Sequence, residues 1–326
     1  MLKMKRSMAA LLSVFVMGGA LPAVQAAQPL PAVFAEESDF EELTEGSLTY
    51  RIYADHAEVA SCDTEAEGEI AVPIRLNGLQ VTAVGESAFA GCTKITSVTL
   101  PYYVASVGSM AFSGCTGLVS VSLPINLKSL GALAFFQCRS LRSIWITEGV
   151  TALGNAVFDG CESLEEVSVP ASVESIGEFA FRNCKALKTI TILDPECRIF
   201  YPAQTICNGI SDETGPYFDG TIIGYEGSTA QKYAEENGYK FQSLGEAPLL
   251  GDVDGDGFVD AHDASMILLE YAHTLTGEDP TLEKASADVD LDGRINASDA
   301  SDVLAYYAYV MSGGEGSLKE FVKNSH

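Results

Sequence analysis

Five consecutive stretches of 23 residues can be written beneath one another without a gap, and this period limits the fold more than any other feature of the chain. The rows are VTAVGESAFAGCTKITSVTLPYY from Val81, VASVGSMAFSGCTGLVSVSLPIN from Val104, LKSLGALAFFQCRSLRSIWITEG from Leu127, VTALGNAVFDGCESLEEVSVPAS from Val150 and VESIGEFAFRNCKALKTITILDP from Val173. One coil of this length cannot bury an apolar face by itself, but stacked coils share one continuous core. Gly85, Gly108, Gly131, Gly154 and Gly177 mark a place where the chain turns tightly or meets a neighbour closely. Phe89, Phe112, Phe135, Phe158 and Phe181 form an aromatic column, with Cys92, Cys115, Cys138, Cys161 and Cys184 three residues behind. A cysteine at every repeat reads as a small buried hydrophobe and not as half of a bridge. Cys197 and Cys207, taken as outside the register, are the bridge candidates, and their pairing stays open. Val98-Thr99-Leu100 and its counterparts alternate polar with apolar, so they read as short strands stacked at about 4.8 Å.

These rows resemble the BspA-type leucine-rich repeats of bacterial surface proteins, from roughly Ser47 to Leu244. The expected fold is α+β: a leucine-rich-repeat solenoid of 23-residue repeats followed by a small all-α module. Alternating strands before Val81 and a strand, turn, helix and strand between Thr221 and Leu244 read as caps, with Ser228 and Gly238 as the helix caps. The resemblance implies that this region binds a protein or a surface, without naming the ligand. Thr99, Ser122, Trp145, Ser168 and Thr191 occupy one outward column of the strands, and Ser97, Ser120, Ser143, Glu166 and Thr189 the next. Trp145, the single tryptophan, with Tyr102 and Tyr103 at a nearby turn, marks a possible face for a protein or glycan ligand.

At the N-terminus Lys3, Lys5 and Arg6 precede an apolar run from Met8 to Leu21, closed by Val24-Gln25-Ala26. This is the pattern of a secretory signal peptide over residues 1–26, and no later stretch reaches the roughly 20 apolar residues of a membrane span. Its removal leaves 16 basic residues against 45 acidic ones, a net charge of −29. Such a surface repels nucleic acid and anionic lipid. The expected product is secreted, extracellular or surface-associated, with residues 27–46 as a flexible acidic lead.

The clearest chemistry follows Leu250. GDVDGDGFVDAHDASMILLEYAHT from Gly251 and ADVDLDGRINASDASDVLAYYAYV from Ala287 agree at 12 of 24 positions, at an offset of 36. In each, oxygen-bearing residues fall at loop positions 1, 3, 5, 9 and 12, the spacing with which a curled loop surrounds a calcium ion. The ligands of the first loop are Asp252, Asp254, Asp256, the carbonyl of Phe258, Asp260 and Asp263. Those of the second are Asp288, Asp290, Asp292, the carbonyl of Arg294, Asn296 and Asp299, so two Ca2+ ions are expected. Gly257 and Gly293 sit at position 6, where the loop turns sharply. Position 12 is Asp where an EF-hand has Glu, and no helix is expected to enter either loop.

A duplicated loop and helix of this kind resembles the type I dockerin module of cellulosomes, over residues 251–311. The resemblance implies calcium-dependent docking onto a cohesin module of a scaffold protein. It places partner contacts at Ala261, His262, Met266, Leu269 and His273 in the first half and at Ala297, Ser298, Asp302, Ala305 and Tyr309 in the second. These residues differ between the halves, so one docking orientation is expected. Ala264, Ile267, Leu268 and Tyr271, with Ala300, Val303, Leu304 and Tyr307, carry the helical spacing of a shared core. Residues 245–250 read as a linker and 312–326 as a disordered tail.

Catalysis finds no support in these residues. The acids of the repeat region are scattered over outward positions, whereas a glycosidase needs two carboxylates facing across a cleft. A nucleophile needs a base, and His56 is the one histidine before the calcium loops. The expected function is a non-catalytic binding protein anchored to a cellulosome scaffold within a polysaccharide-degrading complex. The alternative is a modulator or inhibitor of a hydrolase of that complex, or itself such a hydrolase.

Overall fold

The computed structural model of the chain describes residues 40–200, 203–277 and 281–325. The signal sequence and residues 27–39 of the acidic lead lie outside the described residues. The repeats wind into a solenoid walled by two sheets. One wall is an eight-stranded parallel sheet from Gly68–Ala71 through Ile95–Thr99, Ser120–Ser122, Ser143–Ile144, Glu166–Val169, Thr189–Ile192 and Thr221–Gly224 to Lys240–Ser243. Its register is the repeat itself, since Ser97 pairs with Ser120, Ser120 with Ser143, Ser143 with Glu166 and Glu166 with Thr189.

The opposite wall was not foreseen. Ser106–Val107, Ser129–Leu130, Ala152–Leu153, Ser175–Ile176 and Arg198–Ile199 form a second parallel ladder of two-residue strands, the first four just ahead of Gly108, Gly131, Gly154 and Gly177. Two residues give no visible alternation, so hydrophobic pattern alone cannot mark such a strand. The glycines serve close approach and not a turn. A Cβ on Gly131 would lie 2.5 Å from the backbone nitrogen of Ser109, and one on Gly108 would lie 2.6 Å from that of Glu86.

Between the walls the phenylalanine column is fully buried and stacked, with ring centroids 4.8 to 5.5 Å apart. Three amides of each of the first four coils donate to carbonyls 22 residues further on, as Met110 does to Ala132, Phe112 to Ala134 and Gly114 to Phe136. The cysteine column has a polar task as well as a packing one. Cys115, Cys138, Cys161 and Cys184 each donate to the carbonyl of the phenylalanine one coil back, at 2.9 to 3.3 Å. Burial pushes the Cys115 thiol up to about 12 and the others in the same direction, which keeps them protonated. All eight cysteines are free. Cys207 lies 23 residues after Cys184 and accepts the Cys184 amide on its carbonyl, so it continues the column. Cys197, like Cys62, is outside the register, and it is buried just after the Pro195-Glu196 turn.

Both ends are capped. Glu41–Glu45, expected to be flexible, pairs antiparallel with Leu48–Ile52, which pairs in turn with His56–Cys62. Gly46, at φ 61°, makes the turn, and Leu43 packs against the core. At the far end α1 (Thr229–Asn237) starts on Ser228, whose hydroxyl accepts the Gln231 amide, and stops at Gly238 in the left-handed conformation.

Candidate metal centres

The chain after Leu250 folds into α2 (Ala261–Thr276), α3 (Lys284–Ala287), α4 (Ala297–Met311) and α5 (Leu318–Ser325). Two sequence expectations fail here. The four residues of α3 enter the second loop. The tail holds a helix, because Leu318 and Val322, one turn apart, are buried while Phe321 packs on Tyr306 and Tyr309. The core is also smaller than the helical stripes suggest. Ala264, Ile267, Ala300 and Val303 are buried, but Leu268 and Leu304 are exposed, and Ala287, Val289, Leu318 and Val322 complete the cluster.

Each acidic loop is held by its own backbone. Asp252 accepts the Gly255 amide on one oxygen and the Gly257 amide on the other, at 2.8 and 2.9 Å. Asp288 accepts the Gly293 amide on Oδ2 at 2.9 Å. Gly257 and Gly293 have φ values of 89° and 90°, a conformation that costs little without a Cβ. The loops then run straight into helices. Asp260 and Asn296 are the N-caps of α2 and α4, and Asp263 and Asp299 close reciprocal capping boxes three residues later. Asp299 takes the amides of Val289 and Asn296 on its two oxygens, and Asp263 those of Val253 and Asp260. This geometry explains the Asp at position 12, since a short side chain at the third helical residue reaches both amides.

Carboxylate oxygens of Asp252, Asp254 and Asp256 lie within 4.8 Å of one another, and so do those of Asp288, Asp290 and Asp292. Asp263 and Asp299 stand behind these clusters, each 1% exposed or less, while Asp260 and Asn296 turn to the helix amides of His262 and Ser298. Phe258 is exposed at its loop, and Arg294 reaches away from its own.

The donor set fits a hard divalent cation. Asp288 is 2% exposed, and its Oδ1 is the one buried side-chain oxygen without a hydrogen-bond partner among the described residues. Burial, then the neighbouring Asp299 carboxylate, pushes Asp288 up to about 7, and burial pushes Asp299 up to about 6. The nearest cation, Lys284 Nζ, is 3.9 Å from Asp288. Such a group needs either a proton or a metal ion.

The contact positions expected from the sequence differ between the halves. In the first, Ala261, His262 and Leu269 are exposed and Met266 and His273 half-buried. His262 Nε2 stands 3.7 Å from Asp254 Oδ2. In the second, Asp302 is buried and Ser298 half-buried, while Ala297, Ala305 and Tyr309 are exposed, Tyr309 packing one side of its ring on Phe321 and donating its hydroxyl to the Glu315 carbonyl. On the solenoid Trp145 is 76% exposed. Tyr102 instead accepts a hydrogen bond from Arg294 at 3.1 Å and meets Tyr103 edge to face, so neither tyrosine joins Trp145 in a ring contact.

A stacked-coil solenoid with phenylalanine and cysteine columns, followed by a duplicated acidic loop and helix, defines a leucine-rich-repeat protein with a separate metal-binding module. Family comparison agrees: residues 82–203 match the BspA type leucine rich repeat region in six copies, and residues 250–306 match the dockerin type I domain. The chain thus contains a BspA-type leucine-rich-repeat region and a type I dockerin domain. Dockerins of this type typically bind calcium, and neither family is catalytic. Among solved structures, a leucine rich repeat protein of T. pallidum is 26% identical with a TM-score of 0.46, covering 62% of this chain and 98% of that one. A leucine-rich repeat protein from Bacteroides ovatus is 22% identical with a TM-score of 0.39, covering 64% of this chain and 68% of its own. A leucine rich cell surface protein from Faecalibacterium prausnitzii is 26% identical with a TM-score of 0.34, covering 47% and 54%. No curated protein matches the chain. Among the described residues no helix is long and apolar enough to cross a membrane.

Proposed function

We propose that this chain is a secreted, non-catalytic adaptor, in which the dockerin takes up two calcium ions and docks onto a cohesin module of a scaffold protein. The solenoid then holds a protein or glycan partner beside a polysaccharide-degrading complex. The observation that carries the docking half is the pair of backbone-ordered carboxylate clusters, with a buried Asp288 oxygen left unpartnered. In each loop the residues at positions 1, 3 and 5 and the carbonyl at position 7 would hold the ion, just ahead of the capped helix. Trp145 stands on an open sheet in a column with Ser122 and Ser168, suited to stacking on a ring.

The test is a binding assay of the full mature chain against a set of purified type I cohesin modules, in calcium and in EGTA. Capture in calcium and release in EGTA is the expected result. Absence of capture by every cohesin in calcium refutes the docking half. A glycan array probed with the wild-type chain and with Trp145→Ala tests the other half, and equal signal from both removes Trp145 from the ligand face.

A further inference from the structure

Outside the calcium clusters and the sheet face, the most organised surface is a ridge of turns that follows the strands of the eight-stranded sheet. Tyr102, Ile125, Glu148, Ala171 and Asp194 occupy it at 23-residue intervals. The dockerin lies along this ridge. At one end Arg294 of the second calcium loop donates to the Tyr102 hydroxyl at 3.1 Å. In the middle Gly293 passes Glu148 so closely that an added Cβ would lie 3.0 Å from the Glu148 Cβ. At the other end α5 sends Lys319 to Asp194 at 2.8 Å and Lys323 to Glu174 at 2.6 Å. Asp194 is only 2% exposed, and its other oxygen is already taken by the Glu196 amide, so the lysine completes it. A cavity of about 700 Å³ remains between these contacts.

The two loops are unequal in this respect. An added Cβ on Gly257 of the first loop would meet nothing within 4 Å, and Phe258 is 71% exposed. Gly293 and Arg294, at the matching positions, face the solenoid. Arg294 therefore has two tasks, offering its carbonyl to the ion and its guanidinium to the ridge. We propose that the ridge is a docking surface for the chain's own dockerin, closed by the second calcium loop and α5, so that calcium at the second loop and closure of the two modules strengthen each other. The inference rests on the calcium part of the proposed function. An ion that fixes the peptide at positions 6 and 7 also fixes the stem of Arg294, and by linkage a ridge that holds Arg294 preorganises the loop for the ion. The ion pairs of α5 hold the far end, with the Lys319 pair sheltered from screening by the burial of Asp194.

The experiment uses the full mature chain. Calcium affinity of the second loop is measured by titration calorimetry in an Asp252→Asn background, which silences the first loop, and module separation by small-angle X-ray scattering. Three chains are compared: the Asp252→Asn chain itself, the same chain with Lys319→Glu and Lys323→Glu, and the same chain with Tyr102→Phe, which removes only the hydroxyl that accepts from Arg294. Opening the clasp is expected to weaken second-loop affinity about fivefold in the double lysine variant. Its maximum dimension in calcium should rise to that of the parent in EGTA, with a smaller shift of the same sign for Tyr102→Phe. A wild-type chain that binds no calcium removes the site itself and this linkage with it. Calcium binding with equal second-loop affinity and equal scattering in all three chains overturns the clasp alone.

Discussion

Asp288→Asn should move the dockerin's stability in opposite directions with and without calcium. The carboxylate is nearly inaccessible, one oxygen is unpartnered, and three further loop acids raise its proton affinity. Displacement from 3.8 to about 7 corresponds to a cost on the order of 4 kcal/mol for the ionised group in the calcium-free fold, at about 1.4 kcal/mol per unit. The folded value lies above the unfolded one. The calcium-free domain is therefore most stable in acid and loses that contribution as pH rises through about 7. Asparagine keeps the oxygen that accepts the Gly293 amide but cannot ionise. In EGTA at pH 8 the variant's helical circular dichroism should persist to higher urea than the wild type's, and the difference should shrink as pH falls through 7 and vanish only below about pH 4. In calcium the order reverses, because a charged ligand is gone and affinity of the second loop falls roughly tenfold or more. Equal destabilisation of the variant in EGTA and in calcium would refute the argument, since it would mean that the carboxylate is not an unmet charge waiting for a cation.

Two further outcomes follow from the geometry. Phe135→Ala removes a fully buried ring stacked at 5.0 and 5.5 Å on its neighbours and should cost about 3–5 kcal/mol in urea unfolding of the solenoid, with calcium affinity of the first loop unchanged. Because Asp302 is buried and the exposed Tyr309 is tied to Phe321 and the Glu315 carbonyl, while His262 and Leu269 are open, Leu269→Ala should weaken capture by a cohesin at least tenfold and Ala305→Ser little; equal effects would mean that both halves serve as docking faces.

The repeat was legible because every coil solves the same packing problem, and a 23-residue register survives in the sequence as columns of Gly, Phe and Cys. The two acidic loops were legible because the oxygen donors that a hard cation would need recur at fixed spacing. The parts that escaped lack such periodicity. The second wall uses strands of two residues, too short for alternation to show. Glu41–Glu45 is held by backbone pairing, and its acidic side chains announce nothing of it. Helix α5 has only Leu318, Phe321 and Val322 as an apolar stripe, which gains meaning once Tyr306 and Tyr309 are placed beside it. Cys207 kept the register, yet the irregular turn around Cys197 hid it. Tyr102 was grouped with Trp145 by closeness in the rows, whereas its hydroxyl faces the other module.

The ridge also makes the chain sensitive to its own repeat number. Arg294 meets the first of the five turns and Lys319 the last, four coils away, which at about 4.8 Å per coil is a span of about 19 Å. The dockerin is in effect a caliper set to that span. Excising one row, such as Leu127 to Gly149, would leave a sound solenoid whose jaws no longer match, with Arg294 and Lys319 unable to reach Tyr102 and Asp194 together. Coil number in this architecture is thereby tied to the angle at which the sheet face is carried, and a coil could be gained or lost only together with a change at the far end of α5.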